Sequence, residues 1–149
     1  MILSVFVDGE PKAQPRPRAC RRGNHSDVYD PGTADEWKWR VGMMTKQTAT
    51  SYWEPTNDPI ALRVRFYLPR PKKHFYTTKK RFGELRDDAP RFCTTKPDID
   101  NYVKAVMDAI TQTHAVWKDD SQVAGIFACK IYADTARIGA EIQIRTLGD

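Results

Sequence analysis

Lys96-Pro97-Asp98-Ile99-Asp100-Asn101-Tyr102-Val103-Lys104 is followed, after a helix-length interval, by Trp117-Lys118-Asp119-Asp120-Ser121-Gln122-Val123, so that four carboxylates gather beside Lys104. Pro97 holds its predecessor extended and is poorly tolerated inside a helix. The helix implied by Val103, Val106, Met107 and Ile110 therefore starts just after it. Asp98 takes the N-cap position, where its side-chain oxygen would accept a first-turn amide. Asp100 in that turn is favoured by the helix dipole by about 0.3–1 kcal/mol.

Capping does not explain the spacing that follows. Asp100, Lys104 and Asp108 recur every four residues and make one polar stripe. The apolar set claims the neighbouring face, so the stripe runs along the edge of the core, where a partly desolvated carboxylate gains value as a ligand for a hard cation. Magnesium takes octahedral oxygen ligands and is usually held by one or two carboxylates together with substrate phosphate. Asp98, Asp100 and one of Asp119 or Asp120 would provide such a partial shell. Two readings remain open at this point: a metal site, or a capped helix with surface acids.

Working outward towards the N-terminus, the segment Arg70 to Lys96 is a basic loop. It carries Lys72, Lys73, His74, Lys79, Lys80, Arg81 and Arg91 interleaved with Phe75, Tyr76, Phe82 and Phe92. Cations alternating with aromatics suit a surface that holds phosphates and stacks unpaired bases. Residues 79–86 are expected to be disordered in the free protein, and Arg91 and Lys96 to lie nearest the chemistry. Before the loop, Ile60 to Leu68 alternates cleanly, with Arg63, Arg65 and Tyr67 opposite the apolar face, which reads as a half-buried strand with a basic outer face. Trp37, Val41, Met44 and Thr48 predict a helix from about Ala34 to Ser51, capped by Asp30 or Thr33, with Trp37, Trp39, Met43 and Met44 as packing residues. Ile2 to Val7 reads as a strand. Between it and Pro31 there is no periodicity. Lys12, Arg16, Arg18, Arg21 and Arg22, interrupted by prolines, predict an extended basic loop that binds phosphate, with Arg16 and Arg18 at its centre.

Beyond the acidic pair, Gln122 to Tyr132 and Arg137 to Arg145 read as two strands joined by the hairpin-length connection Ala133 to Ala136. The fold predicted is α/β (α+β), a single domain with a mixed sheet of about four strands and two main helices in the order β-α-β-α-β-β. The acidic helix start and the Asp119-Asp120 strand entry are expected to meet at one edge of it.

Composition agrees. A chain of 149 residues with 40% hydrophobic content suits one core. A net charge of +5 and a pI near 9.2 favour a polyanionic partner, nucleic acid first. Cys20, Cys93 and Cys129 form no C-x-x-C pair, no charged region with a long apolar segment before a cleavage site is seen near residue 1, and the longest apolar run is far too short for a bilayer. The chain is therefore expected in a reducing cytoplasm, with no membrane partner. A zinc site from Cys20, His25, His74 and Cys93 lacks paired spacing.

"KPDIDNYVKAVMDAI" followed by "VWKDDSQV" resembles the signature of the RusA-type Holliday junction resolvases, phage and prophage members especially, which carry D-x-D-N-x-x-K at a helix start and W-x-D-D-x-Q beyond it. "DGEPKAQPRPR", "FYLPRPKKHF" and "RFCTTKPDIDN" extend the likeness in order over most of the chain. The resemblance implies a magnesium-dependent endonuclease, with manganese able to substitute, that acts as a homodimer and places symmetric nicks in a four-way DNA junction. It implies a bacterial host cytoplasm and a phage or prophage origin. Asp98, Asp100 and Asp120 are the expected metal ligands, since the second aspartate of the Asp119-Asp120 pair matches the family's catalytic acid. Lys104 would offset charge at the phosphate or pair with Asp100, Asn101 would orient a ligand or water, and Asp108 would be Lys104's structural partner. Arg16, Arg18, Lys72, Lys73, Arg91 and Lys96 are the expected DNA contacts. Two other functions fit the same residues: a non-catalytic basic nucleic-acid-binding protein, and a nuclease for flaps or forks.

Overall fold

A computed structural model describes residues 1–134 and 137–148. Four alternating runs form one sheet: β1 (Ile2–Asp8), β4 (Ile60–Leu68), β5 (Val123–Tyr132) and β6 (Gly139–Thr146), in the spatial order β1-β6-β4-β5. A two-stranded ribbon, β2 (Arg18–Arg22) with β3 (His25–Tyr29), stands apart from it. Two helices, α1 (Asp35–Thr50) and α2 (Ile99–Thr113), complete the main elements. The mixed α+β single domain, its four-stranded sheet and its two helices are as the sequence predicts.

The sheet is buried on one face because its strands alternate. Ile60, Leu62, Val64, Phe66 and Leu68 of β4 turn into the core, joined by Leu3, Val5 and Val7 of β1 and by Ala140, Ile142 and Ile144 of β6. Each such Val, Leu, Ile or Phe side chain contributes about 1.5–3 kcal/mol on burial. The helices close over this face with Trp37 and Val41 from α1 and Tyr102, Val106 and Ile110 from α2. Gly42 lets them approach, since a Cβ there would meet the Ala109 carbonyl oxygen at 3.3 Å and Thr113 Cγ2 at 3.2 Å.

Several expectations are corrected. Residues 18–29 are a ribbon and not an extended loop, turning at Gly23-Asn24 with Gly23 at φ +60°, a left-handed conformation that glycine adopts without strain. Neither Asp30 nor Thr33 caps α1. Ala34 holds the N-cap position, and Asp30 instead accepts from the Gly32 amide and the Gln14 side chain. The inner stripe of α1 is Trp37, Val41, Gly42, Thr45 and Ala49, while Trp39 is 66% exposed and Met43 and Met44 also face out. Small residues, not methionines, meet α2, because the helices pass too closely for long side chains.

Strands β5 and β6 do not pair as a hairpin. Since α2 serves as a crossover, β5 returns parallel to β4, and β6 then inserts antiparallel between β4 and β1. Thr135 and Ala136 of the predicted connection lie outside the described residues. Residues 79–86, expected to be disordered, fold back on themselves instead. The Tyr76 amide donates to the Glu84 carbonyl, the Gly83 amide donates to the Tyr76 carbonyl, and Arg81 binds Glu84 and Asp87.

Candidate active site

The helix start is held from two sides. Lys130 of β5 donates its ammonium to the carbonyls of Thr95 (2.7 Å) and Pro97 (2.8 Å), tying the Lys96-Pro97 turn to the sheet edge. The Gln14 amide donates to the Asn101 carbonyl at 2.9 Å, so the basic segment that leads into the ribbon is anchored on the first turn of α2. Asp98 holds the N-cap position with extended backbone (ψ 150°), as predicted, yet its side chain accepts no capping hydrogen bond. That carboxylate has no protein partner among the described residues. Asp100 Oδ1 accepts the Asn101 amide at 2.9 Å and leaves its second oxygen free.

The acidic pair divides in the same way. Asp119 caps the short turn Asp120–Gln122, accepting the Ser121 amide at 2.8 Å, and this hydrogen bonding holds its carboxyl below the usual range. Gln122 locks the turn further. Its carbonyl oxygen accepts the amides of Lys118 and Asp119, and its amide nitrogen donates to the carbonyls of Thr56 and Asp58. Trp117 is fully buried and donates Nε1 to Thr111 Oγ1 at 2.8 Å. With Trp117, Asp119 and Gln122 committed to structure, Asp120 keeps a half-exposed carboxylate that accepts no backbone amide among the described residues.

A groove of about 540 Å³ between α2 and β5 brings Asp100, Lys104, Asp108 and Asp120 onto one lining, floored by Val103, Met107 and Ala128. Lys104 Nζ stands 3.9 Å from Asp108 Oδ2 and makes no ion pair with Asp100, so its structural partner is Asp108, which Lys38 also approaches at 3.9 Å. Asp98 does not line the groove. Among the described residues no three His, Cys, Asp or Glu side chains stand close enough to hold an ion between them. The donor chemistry nevertheless fits a hard divalent cation. Asp98 and Asp100 offer unspent carboxylate oxygens one residue apart, and one or two carboxylates with water and phosphate are the usual protein share of a magnesium shell.

The predicted DNA contacts are dispersed. Lys73 and Lys96 line a hollow of about 600 Å³ on the other side of the Lys96-Pro97 turn, together with Arg70, His74 and Tyr102. Burial pushes the Tyr102 hydroxyl up to about 12, so it stays protonated. Lys72 is exposed on the short turn Lys72–His74, Arg16 and Arg18 are exposed at the base of the ribbon, and Arg91 lies on the outer face of the sheet, away from the groove. Sequence reasoning missed Lys130 and the bracing role of Gln122. A lysine on the apolar side of a strand was the available signal for the first.

Residues 8–145 match the family described as Endodeoxyribonuclease RusA. The chain is also 36% identical over 143 residues to "Uncharacterized protein YqaN" of Bacillus subtilis (strain 168), a likeness that covers 96% of this chain and 95% of that protein.

Proposed function

We propose that this chain, which belongs to the RusA endodeoxyribonuclease family, is a magnesium-dependent resolvase that cuts four-way DNA junctions by paired symmetric nicks during recombination and repair. Manganese would substitute. A two-fold substrate cut on opposed strands needs two active sites, which a C2 homodimer supplies. No helix among the described residues is long and apolar enough to cross a membrane, and the working place proposed is the cytoplasm of a bacterial host, from a phage or prophage gene.

The observation that carries this reading is the division of labour among the aspartates: Asp119 is spent on the backbone, whereas Asp98, Asp120 and one oxygen of Asp100 are left free. Asp98 and Asp100 would hold the ion, and Asp120, which shares the groove lining with Asp100, would join them only as the bound ion and phosphate draw the carboxylates together. Bound there, it would supply an activated water and shield the phosphorus centre. Lys104, 61% exposed at the groove lip, would offer a compact ammonium to the charge that develops on the phosphate. Asn101, anchored through its backbone to both Asp100 and Gln14, can orient a ligand or water. Arg16, Arg18, Lys72, Lys73 and Lys96 would grip the arms of the junction.

The test is incubation of a synthetic four-way junction and a matching linear duplex with the protein, in magnesium and then in EDTA. Paired nicks in the junction alone, and only with magnesium, are expected. Tight binding with no cleavage even in magnesium would identify a non-catalytic nucleic-acid-binding protein, and preferential cutting of flaps or forks a different branched-DNA nuclease.

A further inference from the structure

Neither helix touches the outer face of the sheet, and its side chains form ordered rows. Ser4, Gln143, Arg63 and Phe127 stand side by side across the four strands, and Phe6, Glu141, Arg65 and Cys129 form the next row. The face is rich in rings and guanidinium groups held together. Arg63 lies 5.2 Å over the ring of Phe127, Arg91 lies 5.4 Å over Phe92, and Arg137 lies 4.3 Å over Phe6. Phe127 is 56% and Phe92 51% exposed, far more than packing residues need. Two hollows, of about 380 and 270 Å³, adjoin there, with Arg63 and Phe127 common to both, so the Phe127 ring forms a ridge with a recess on either side.

We propose that this open face is a binding platform for an unpaired DNA strand, separate from the groove that carries the aspartates. Charge decides the occupant. Arg63, Arg65, Arg91, Arg137 and Arg145 face Glu141 and Asp8 as the acids paired to them on this face, Arg65 with Glu141 at 3.5 Å and Arg137 with Asp8 at 3.2 Å. A second copy of the chain would bring two positive faces together, which is unfavourable; a phosphate backbone meets the same charge favourably. Successive bases can stack on the rings whatever their identity, since every base offers a π-face. An open sheet brings rings from different strands (Phe6, Tyr67 and Phe127) and guanidinium groups to one face, because side chains two apart on a strand share a face. The loop read from sequence as a stacking surface contributes Arg91 and Phe92, which reach the sheet edge where Phe92 bridges to Ile131. Of its other groups, Arg81 and Arg86 are paired with neighbouring acids and stacked on Tyr76.

The experiment uses the full chain in EDTA, so that binding is read without cleavage, with a short single-stranded oligonucleotide carrying 5-iododeoxyuridine. Photocrosslinks are expected at Phe127, Phe92 or Tyr67. Phe127→Ala and Arg63→Ala are each expected to weaken oligonucleotide binding about tenfold, and Trp39→Ala on the helical layer to leave it unchanged. The same variants are run in junction cleavage with magnesium, so a failed nuclease reading shows separately from a failed platform. Crosslinks confined to the groove or the ribbon, with unchanged affinities, overturn the proposal. So does conversion of a dimer to a monomer by Phe127→Ala, which would assign the face to a second copy.

Discussion

The two basic segments, 9–34 and 70–98, read alike in sequence and differ in structure. In the second, most guanidinium groups are already spent: Arg81 pairs with Glu84 at 2.9 Å and Asp87 at 3.1 Å and sits 4.0 Å over Tyr76, Arg86 pairs with Asp88, and Arg70 is buried against Asp134, His74 and the Pro90 carbonyl. In the first, Lys12 is the one cation with a carboxylate partner among the described residues, Glu10 at 3.5 Å, and Arg16, Arg18, Arg21 and Arg22 stand free. Formal charge therefore overstates what the second segment offers to DNA, because a paired guanidinium must give up its partner to take a phosphate. The aspartates repeat the contrast on a smaller scale: Asp119 is committed and Asp120 is not.

The largest effects should fall on the free carboxylates. Asp98→Asn, Asp100→Asn and Asp120→Asn should each lower single-turnover junction cleavage by about a hundredfold or more with binding largely kept, since each removes a metal ligand and no positive charge. Asp119→Asn keeps an oxygen for the Ser121 amide and should stay within about threefold of wild type, because the cap survives. Equal losses at both members of the pair would erase the distinction.

Lys104 comes next. Lys104→Ala should slow cleavage more than about tenfold if the ammonium acts on developing charge, and Lys104→Arg should restore little, since a planar fork cannot take the place of a compact ammonium. As a mere partner of Asp108 it would cost only about 0.2–0.5 kcal/mol of stability on removal, visible in a thermal melt and silent in the rate.

For the basic segments, the double substitution Arg16→Ala with Arg18→Ala should reduce the log-log salt slope of junction binding by about 1.8, roughly 0.9 for each lost phosphate contact. Arg81→Ala with Arg86→Ala removes the same formal charge, yet should leave the slope nearly intact and lower the melting temperature. A slope loss as large from the second pair would mean that paired guanidiniums exchange freely.

The smallest effect is a pH dependence at His74. Burial first, then the charges of Arg70 and Lys73, hold its pKa below the ordinary 6.5. Between the folded and unfolded values the unfolded chain holds the proton and the folded one does not, so the stability present above about pH 6.5 is lost progressively as pH falls. Melting temperature should drop from pH 7.5 to 5.5, and His74→Gln should flatten that drop.

Much of this was legible in the chain. The strict alternation of Ile60 to Leu68 and the apolar set after Pro97 have one physical solution each, and the structure adopts it. The ribbon was hidden because its strands bury nothing, so no hydrophobic period marks them, and only Gly23-Asn24 signalled a turn. The position of β6 between β1 and β4 depends on which neighbour α2 leaves free, a long-range outcome that local pattern does not encode. Of the site, the residue types and the helix start were readable. Which aspartate is committed was not, since it turns on the Ser121 amide and on the brace that Gln122 makes to Thr56 and Asp58, 66 and 64 residues away.

Calorimetric titration of magnesium into the protein, bound to an uncleavable four-way junction, puts that distinction to its most direct trial. Wild type and Asp119→Asn should bind the ion alike, while Asp98→Asn and Asp120→Asn should lose most of the binding heat. Wild-type magnesium binding by Asp120→Asn, or its loss in Asp119→Asn, would contradict the assignment of the free carboxylates as the metal ligands.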